Sequence, residues 1–161
     1  MKDSKKCVFA GTFDPPTLGH KSMIETCAKL FDEVVVAVMV NPDKTPCFSA
    51  KERKEMLALD VGCLPSVRIV EFSGTVAELL AKEDTKIYVR GIRNSIDLDY
   101  ENANFYASKK LDEEITAVYI PCPQELLHVS SSLVRNSLKF GTSLDEYVSE
   151  QVRAYIRKVK E

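Results

Sequence analysis

Tryptophan is absent from the 161-residue chain, histidine occurs twice and glycine six times. Two distant imidazoles cannot make a histidine-rich metal centre. With glycine this scarce, neither the G-x-G-x-x-G dinucleotide fingerprint nor the G-x-x-x-x-G-K-[ST] phosphate loop occurs, which excludes a usual dehydrogenase and a P-loop enzyme. The five cysteines, Cys7, Cys27, Cys47, Cys63 and Cys122, are odd in number and form no C-x-x-C pair. That pattern argues against a zinc site or a disulfide framework and for reduced thiols in a cytoplasmic protein. A net charge of −2 supplies no general pull toward nucleic acid or an anionic membrane, so any polyanion must be met by a local basic pocket. Long apolar runs are also missing. Met1-Lys2-Asp3-Ser4-Lys5-Lys6 leads into a short apolar stretch, which resembles neither a signal peptide nor a membrane span.

What remains is the composition of a soluble globular protein, 45% hydrophobic and 29% charged. Length, and the lack of repeats, linkers and low-complexity segments, point to one domain over 1–161 with a substantial core. Strand-like runs at 7–10, 33–40, 67–70, 86–90 and 114–120 alternate with helical patterns at 22–30, 51–59, 76–81, 96–110, 130–138 and 144–159. The run Val34-Val35-Val36-Ala37-Val38 reads as a strand buried on both faces of a parallel sheet. The expected fold is therefore α/β: a Rossmann-like, doubly wound sheet of about five parallel strands with helices on both faces. Such sheets bind ligands beyond the carboxyl ends of their strands, so segments 11–20, 41–48, 90–93 and 121–132 should converge.

Those segments carry Thr12, His20, Lys44, Arg90, Arg93 and Ser130, Ser131 and Ser132, the last three at the start of a helix. Cations, hydroxyls and free backbone N–H groups at one edge suit a polyphosphate. No paired carboxylates of a glycosidase and no Ser-His-Asp signature accompany them, which leaves phosphoryl or nucleotidyl transfer as the chemistry. Each residue alone has an ordinary reading. Gly11 would serve a tight turn, Asp14-Pro15 would start a helix, Lys44 would be solvated and Ser130 would be an N-cap. Arg90 and Arg93 would form ion pairs with Asp97, Asp99 or Glu101. Their joint placement is what favours a site.

Gly11-Thr12-Phe13-Asp14-Pro15 with Thr17 and Gly19-His20 resembles the first signature of the nucleotidyltransferases of the H-x-G-H type. Within them, Thr17 in place of the first histidine matches the bacterial phosphopantetheine adenylyltransferase branch. The match continues through Asn41-Pro42-Asp43-Lys44, Arg90-Gly91-Ile92-Arg93, Asp97 to Glu101 and Val129 to Arg135, and so covers nearly the whole chain. It departs at Gly74-Thr75-Val76, at Leu126 and at Asn136. The resemblance implies adenylyl transfer from ATP to 4′-phosphopantetheine with Mg²⁺ bound to the ATP, feedback by coenzyme A and a homohexamer. By the same resemblance His20 and Lys44 are catalytic. ATP is held by Thr12, Phe13, His20, Gly91, Ile92, Arg93, Glu101 and the run Leu126, Leu127, His128, Val129, Ser130, Ser131, Ser132. Thr12, Lys44, Val76 and Arg90 would contact the acceptor. The competing expectations are transfer to nicotinate or nicotinamide mononucleotide, and a nucleotide-binding regulator without turnover.

Overall fold

Strands β1 (Lys6–Gly11) and β2 (Glu33–Met39) have no polar face to give to water, and Cys7 to Ala10 and Val34 to Val38 are all at most 3% exposed. The computed structural model describes residues 5–161; Met1 to Ser4, part of the stretch read above for a leader, lie outside the described residues. With β3 (Val67–Phe72), β4 (Ile87–Ile92) and β5 (Thr116–Pro121) these strands form one parallel sheet in the order β3-β2-β1-β4-β5. Ala10 pairs with Ala37 on one edge of β1, and Phe9 with Val89 on the other.

Parallel neighbours require crossovers, supplied by α1 (Leu18–Leu30), α2 (Ala50–Val61), α3 (Val76–Lys82) and α4 (Ser95–Leu111). Side-chain alternation along β1 and β2 sorts the core. Cys7, Phe9, Val34, Val36 and Val38 pack with Ile24 and Cys27 of α1 and Leu57 of α2, while Val8, Ala10, Val35 and Ala37 pack with Leu79 and Leu80 of α3. Helices therefore cover both faces, as the sequence pattern requires. A third cluster joins Phe48 and Met56 to Val134 of α5 (Ser131–Phe140) and to Val152 and Ile156 of α6 (Glu150–Lys160). Gly141 ends α5 in the left-handed region at φ 66°, a conformation that favours glycine.

Several boundaries differ from the sequence expectation, and three of the differences have a local reason. The last helix starts at Glu150 rather than near Leu144, because the Ser149 side chain caps it by accepting from the Val152 N–H. Leu144, Val148, Val152 and Ile156 are nevertheless all buried at a spacing of four, so periodicity alone does not show the break. Strand β5 begins at Thr116 instead of Glu114, since the Asp112 side chain accepts from the Glu114 N–H and holds that residue in a turn. Helix α1 begins at Leu18, before the expected start, capped by Thr17.

Because β1 lies between β2 and β4, the chain leaves its two flanks in opposite directions, and a crevice opens at the carboxyl end. The turn after β1 is fixed there by Asp14, 6% exposed, whose carboxylate accepts from the Cys47 and Phe48 N–H groups at 2.8 and 2.9 Å. Asp14→Ala is expected to lower the unfolding free energy by about 1–3 kcal/mol, the usual cost of an unsatisfied buried donor. Urea denaturation should show a lower midpoint at unchanged m. An unchanged midpoint would mean that water replaces the carboxylate without loss.

Candidate active site

Four segments meet at the carboxyl ends of β1, β4 and β5 around a cavity of about 360 Å³. His20 enters it from the first turn of α1. The imidazole occupies the helix position that a glutamate usually takes in a capping box. Its Nδ1 accepts from the Thr17 backbone N–H at 3.0 Å and lies 3.2 Å from the Thr17 hydroxyl, while the Thr17 Oγ1 accepts from the His20 N–H at 3.4 Å. A ring nitrogen that accepts a backbone N–H carries no proton, so the neutral ring bears its hydrogen on Nε2. Burial first, and then the charges of Arg90 and Arg93, push the His20 pKa down to about 3. Below the ring lies Phe13, at φ 52° and 2% exposed, with its centroid 4.9 Å away in an edge-to-face arrangement. His20 is thus a neutral hydrogen-bond donor held from three sides.

Strand β4 contributes the arginines, and α4 contributes the carboxylates that orient them. Arg90 donates through Nε and Nη2 to Glu101 Oε1 at 2.9 and 2.6 Å, and through Nη1 to the Ala10 carbonyl. Glu101 is 4% exposed, and its second oxygen, Oε2, is buried without a hydrogen-bond partner among the described residues. Arg93 makes a forked pair with Asp97, Nε at 2.9 Å and Nη2 at 3.2 Å, and holds the Asp97 carboxyl below the usual carboxylate range. The ion-pair reading of these arginines is therefore realised, and both also line the cavity. Between them, Gly91 has no room for a side chain, because a Cβ there would lie 1.7 Å from Met23 Sδ. A larger residue there would first have to displace the flexible Met23 side chain from the cavity wall.

The serine run divides its labour. Ser130 caps α5 by accepting from the Leu133 N–H at 3.1 Å, Ser131 donates to the Pro15 carbonyl at 2.8 Å, and Ser132 accepts from Arg135 Nη2 at 3.0 Å. Arg135 also donates through Nη1 to the Asp14 carbonyl at 2.7 Å, so α5 is stitched to the turn after β1. No carboxylate pairs with Arg135 among the described residues.

Of the expected nucleotide contacts, Phe13, His20, Gly91, Arg93, Glu101, Val129 and Ser130 to Ser132 line this cavity, together with Arg90. Thr12 and Lys44 do not. They line a neighbouring cavity of about 520 Å³ with Asn41, Arg53, Ser73 and Gly74. The two spaces lie on either side of the 11–13 segment, since Gly11 and Phe13 line the first and Thr12 the second. Leu126, Leu127 and His128 form a short 3-10 turn and its exit outside both linings, where the His128 ring meets Tyr147 edge-on. Ile92 is likewise outside, its carbonyl accepting from the Cys122 N–H. Val76 packs against the core beside Ala77 and Leu79, so that Ser73 and Gly74 form the rim expected of it. Arg135, Met23 and Arg53 were not among the expected site residues. Arg135 lies three and four positions beyond Ser132 and Ser131, hence on their helix face, a spacing that signals it.

Two independent similarities match this arrangement. The cytidylyltransferase-like family profile fits residues 8–137. A phosphopantetheine adenylyltransferase from Aliivibrio fischeri is 36% identical over 159 residues, covering 98% of this chain and 99% of its own. One from Dictyoglomus turgidum is 39% identical over 151 residues, covering 91% and 94%. The chain belongs to the phosphopantetheine adenylyltransferase family. It is accordingly a nucleotidyltransferase. The fold is shared more widely: the Plasmodium falciparum nicotinic acid mononucleotide adenylyltransferase, solved with NaAD, covers 97% of the chain at a TM-score of 0.72 and 18% identity.

For a member of this family, the protonation of His20 matters at working pH. Its folded pKa lies below the ordinary 6.5, so between about 3 and 6.5 the unfolded chain binds a proton that the native chain does not. The stability associated with the neutral ring is present above that window and is lost as pH falls through it. NMR of the ligand-free protein is expected to show His20 ring signals that do not titrate between about pH 5 and 8, with the hydrogen on Nε2. A midpoint near the ordinary histidine value would overturn the neutral-donor assignment.

Proposed function

We propose that the chain transfers the adenylyl group of ATP to 4′-phosphopantetheine, giving dephospho-coenzyme A and pyrophosphate. The observation that carries this reading is the pair of cavities separated by Gly11, Thr12 and Phe13, one lined by His20, Arg93 and the serine turn, the other by Lys44 and Thr12. A donor nucleotide in the first and an acceptor phosphate in the second would meet across that segment, with the α-phosphorus at the junction. Full-length likeness to phosphopantetheine adenylyltransferases supports the same acceptor.

An oxygen of the acceptor phosphate attacks the α-phosphorus, and the bond to the pyrophosphate oxygen breaks. The acceptor is already ionised near neutral pH, so no general base is required. Catalysis then consists of positioning and of stabilising charge on the phosphoryl oxygens. His20 donates its Nε2 hydrogen to a non-bridging oxygen of the α-phosphate, and Lys44 approaches from the acceptor side with Thr12. Arg90 faces the acceptor phosphate across Gly11, while Arg93 and Ser130 to Ser132 hold the β- and γ-phosphates. Phe13 and Gly91 offer backbone groups, Glu101 offers its unpartnered oxygen to the nucleoside, Val129 flanks the adenine, and Ser73 and Gly74 border the pantetheine arm.

No group of three or more His, Cys, Asp or Glu residues able to hold a metal ion occurs among the described residues. The two cavity carboxylates, Asp97 and Glu101, are already engaged by Arg93 and Arg90. Mg²⁺ would come with the triphosphate and would there offset the charge of its oxygens, while Asp97 and Glu101 stay with the arginines. Feedback by coenzyme A belongs to the same reading, since it carries the acceptor's own phosphopantetheine group. So does a homohexamer in the cytoplasm. Among the described residues no helix is long and apolar enough to cross a membrane. On α4, Ile96, Tyr106 and Leu111 are 76%, 62% and 67% exposed, an apolar display suited to contact with further copies. Sedimentation velocity reads this directly, and a monomer would overturn the assembly.

Purified protein with ATP and Mg²⁺ should release pyrophosphate with 4′-phosphopantetheine and not with nicotinate or nicotinamide mononucleotide. Turnover only with a mononucleotide would reassign the acceptor, and ATP binding without turnover for any acceptor would leave a regulator. His20→Ala is expected to lower turnover by about 10²–10³-fold with little change in ATP affinity, because its hydrogen bond strengthens in the transition state. Near-normal turnover would remove that role. Arg90→Ala should weaken phosphopantetheine more than ATP, and equal weakening of both would reassign Arg90.

A further inference from the structure

Among the described residues, Arg53 is the one buried cation lining the second cavity that the mechanism leaves unused. It stands on α2, 3% exposed, and no carboxylate lies within ion-pair distance of it among the described residues. Its partners are instead three carbonyls. Nε donates to Ser49 at 3.3 Å, and Nη1 donates to Thr12 at 2.8 Å and to Met39 at 3.3 Å. Burying a guanidinium whose hydrogen-bond acceptors are all carbonyls is costly: desolvation pulls its pKa below the usual value, and the Asp14 and Glu71 carboxylates nearby offset this only in part. Such a placement persists when the carbonyls it joins must be held together.

The joined carbonyls define the acceptor side. Thr12 is the residue that separates the two cavities, and Met39 is the last residue of β2, from which the 41–48 loop carrying Lys44 departs. At the far end of that loop, Cys47 and Phe48 are bonded to the Asp14 carboxylate. The loop is thus tied to the turn after β1 at both ends, by Arg53 at its start and Asp14 at its finish, while residues 41–46 between the ties are exposed. Neither Thr12 nor Lys44 is buried, so packing does not fix them. The frame at the loop ends does.

We infer that Arg53 is a positioning residue for the acceptor site: its guanidinium joins the ends of β1 and β2 and thereby sets where Thr12 and Lys44 meet the acceptor phosphate. A planar fork is needed, because three carbonyls from two loops and a helix start are reached from two nitrogens in fixed relation, which a single ammonium does not reproduce. The nucleotide-holding side chains are fixed by other contacts, Thr17 with His20 and Asp97 with Arg93, neither of which involves Arg53. Loss of Arg53 should therefore act on one substrate and not on the other.

This inference rests on the adenylyl-transfer reading above, and the two fail separately. Wild-type protein without pyrophosphate release on phosphopantetheine would defeat the reading itself. Given wild-type turnover, Arg53→Met, which keeps much of the volume, and Arg53→Lys, which keeps the charge, are compared by steady-state kinetics and by calorimetric binding of ATP. For Arg53→Met the KM for phosphopantetheine is expected to rise by about tenfold to hundredfold, the scale of a small misplacement of binding groups. ATP affinity should stay within about twofold of wild type, and Arg53→Lys should fall between the two. A lowered Tm is compatible with the proposal, but equal losses for ATP and acceptor overturn it, as does an unchanged acceptor KM. Should Arg53→Met not fold, the lysine variant decides alone: a folded protein with wild-type KM for the acceptor makes Arg53 a purely structural residue and ends the proposal.

Discussion

Strand β1 is hydrogen-bonded along both edges and covered on both faces, and the rest of the molecule depends on that double enclosure. A strand so confined can release its backbone to solvent only at its end, and Gly11 is that end. Everything that touches a phosphate in the proposed reaction is then placed by reference to the next few residues. Arg90 reaches back to the Ala10 carbonyl, Arg53 to Thr12, Arg135 to Asp14 and Ser131 to Pro15. Four side chains from two helices and a strand close on four carbonyls between Ala10 and Pro15. Phe13 to Thr17 are consequently buried, and Thr12 alone is left exposed at the point where the two cavities adjoin.

Charge in the first cavity is arranged by subtraction. Three arginines line it, yet two are matched by Glu101 and Asp97, and the histidine is kept neutral. What faces a nucleotide is therefore a set of oriented N–H groups more than a large positive field. Such a site can hold a triphosphate while still letting pyrophosphate leave, since release is opposed by hydrogen bonds and by few uncompensated charges.

Much of this was legible in the sequence, and the unread parts share a cause. The five strands and the convergence of their carboxyl-end loops follow from runs such as Val34 to Val38, where burial on both faces leaves one reading. His20 was legible as a donor from its motif, but its protonation was not, because that depends on the Thr17 amide and on arginines some 70 residues away. Thr12 and Lys44 were expected beside the nucleotide groups; only the fold shows that they line a separate cavity. Arg53 looked like one more charge on an amphipathic helix, for no local pattern reveals that its partners are the carbonyls of Thr12 and Met39. The missed start of α6 has the opposite origin: Leu144 and Val148 keep the helical spacing across a turn, so a correct hydrophobic pattern concealed a change of backbone.

The contact that sets the His20 tautomer is made by the backbone amide of Thr17, with the hydroxyl only beside it. Nearly any residue at 17 would present the same amide, proline excepted. Sequence drift at that position can therefore change how the helix is capped and what the neighbouring side chain offers a substrate, while the hydrogen on Nε2 stays where it is. Substitution at 17 would thus alter the cap of α1 and one wall of the nucleotide cavity without turning the other ring nitrogen toward the phosphate.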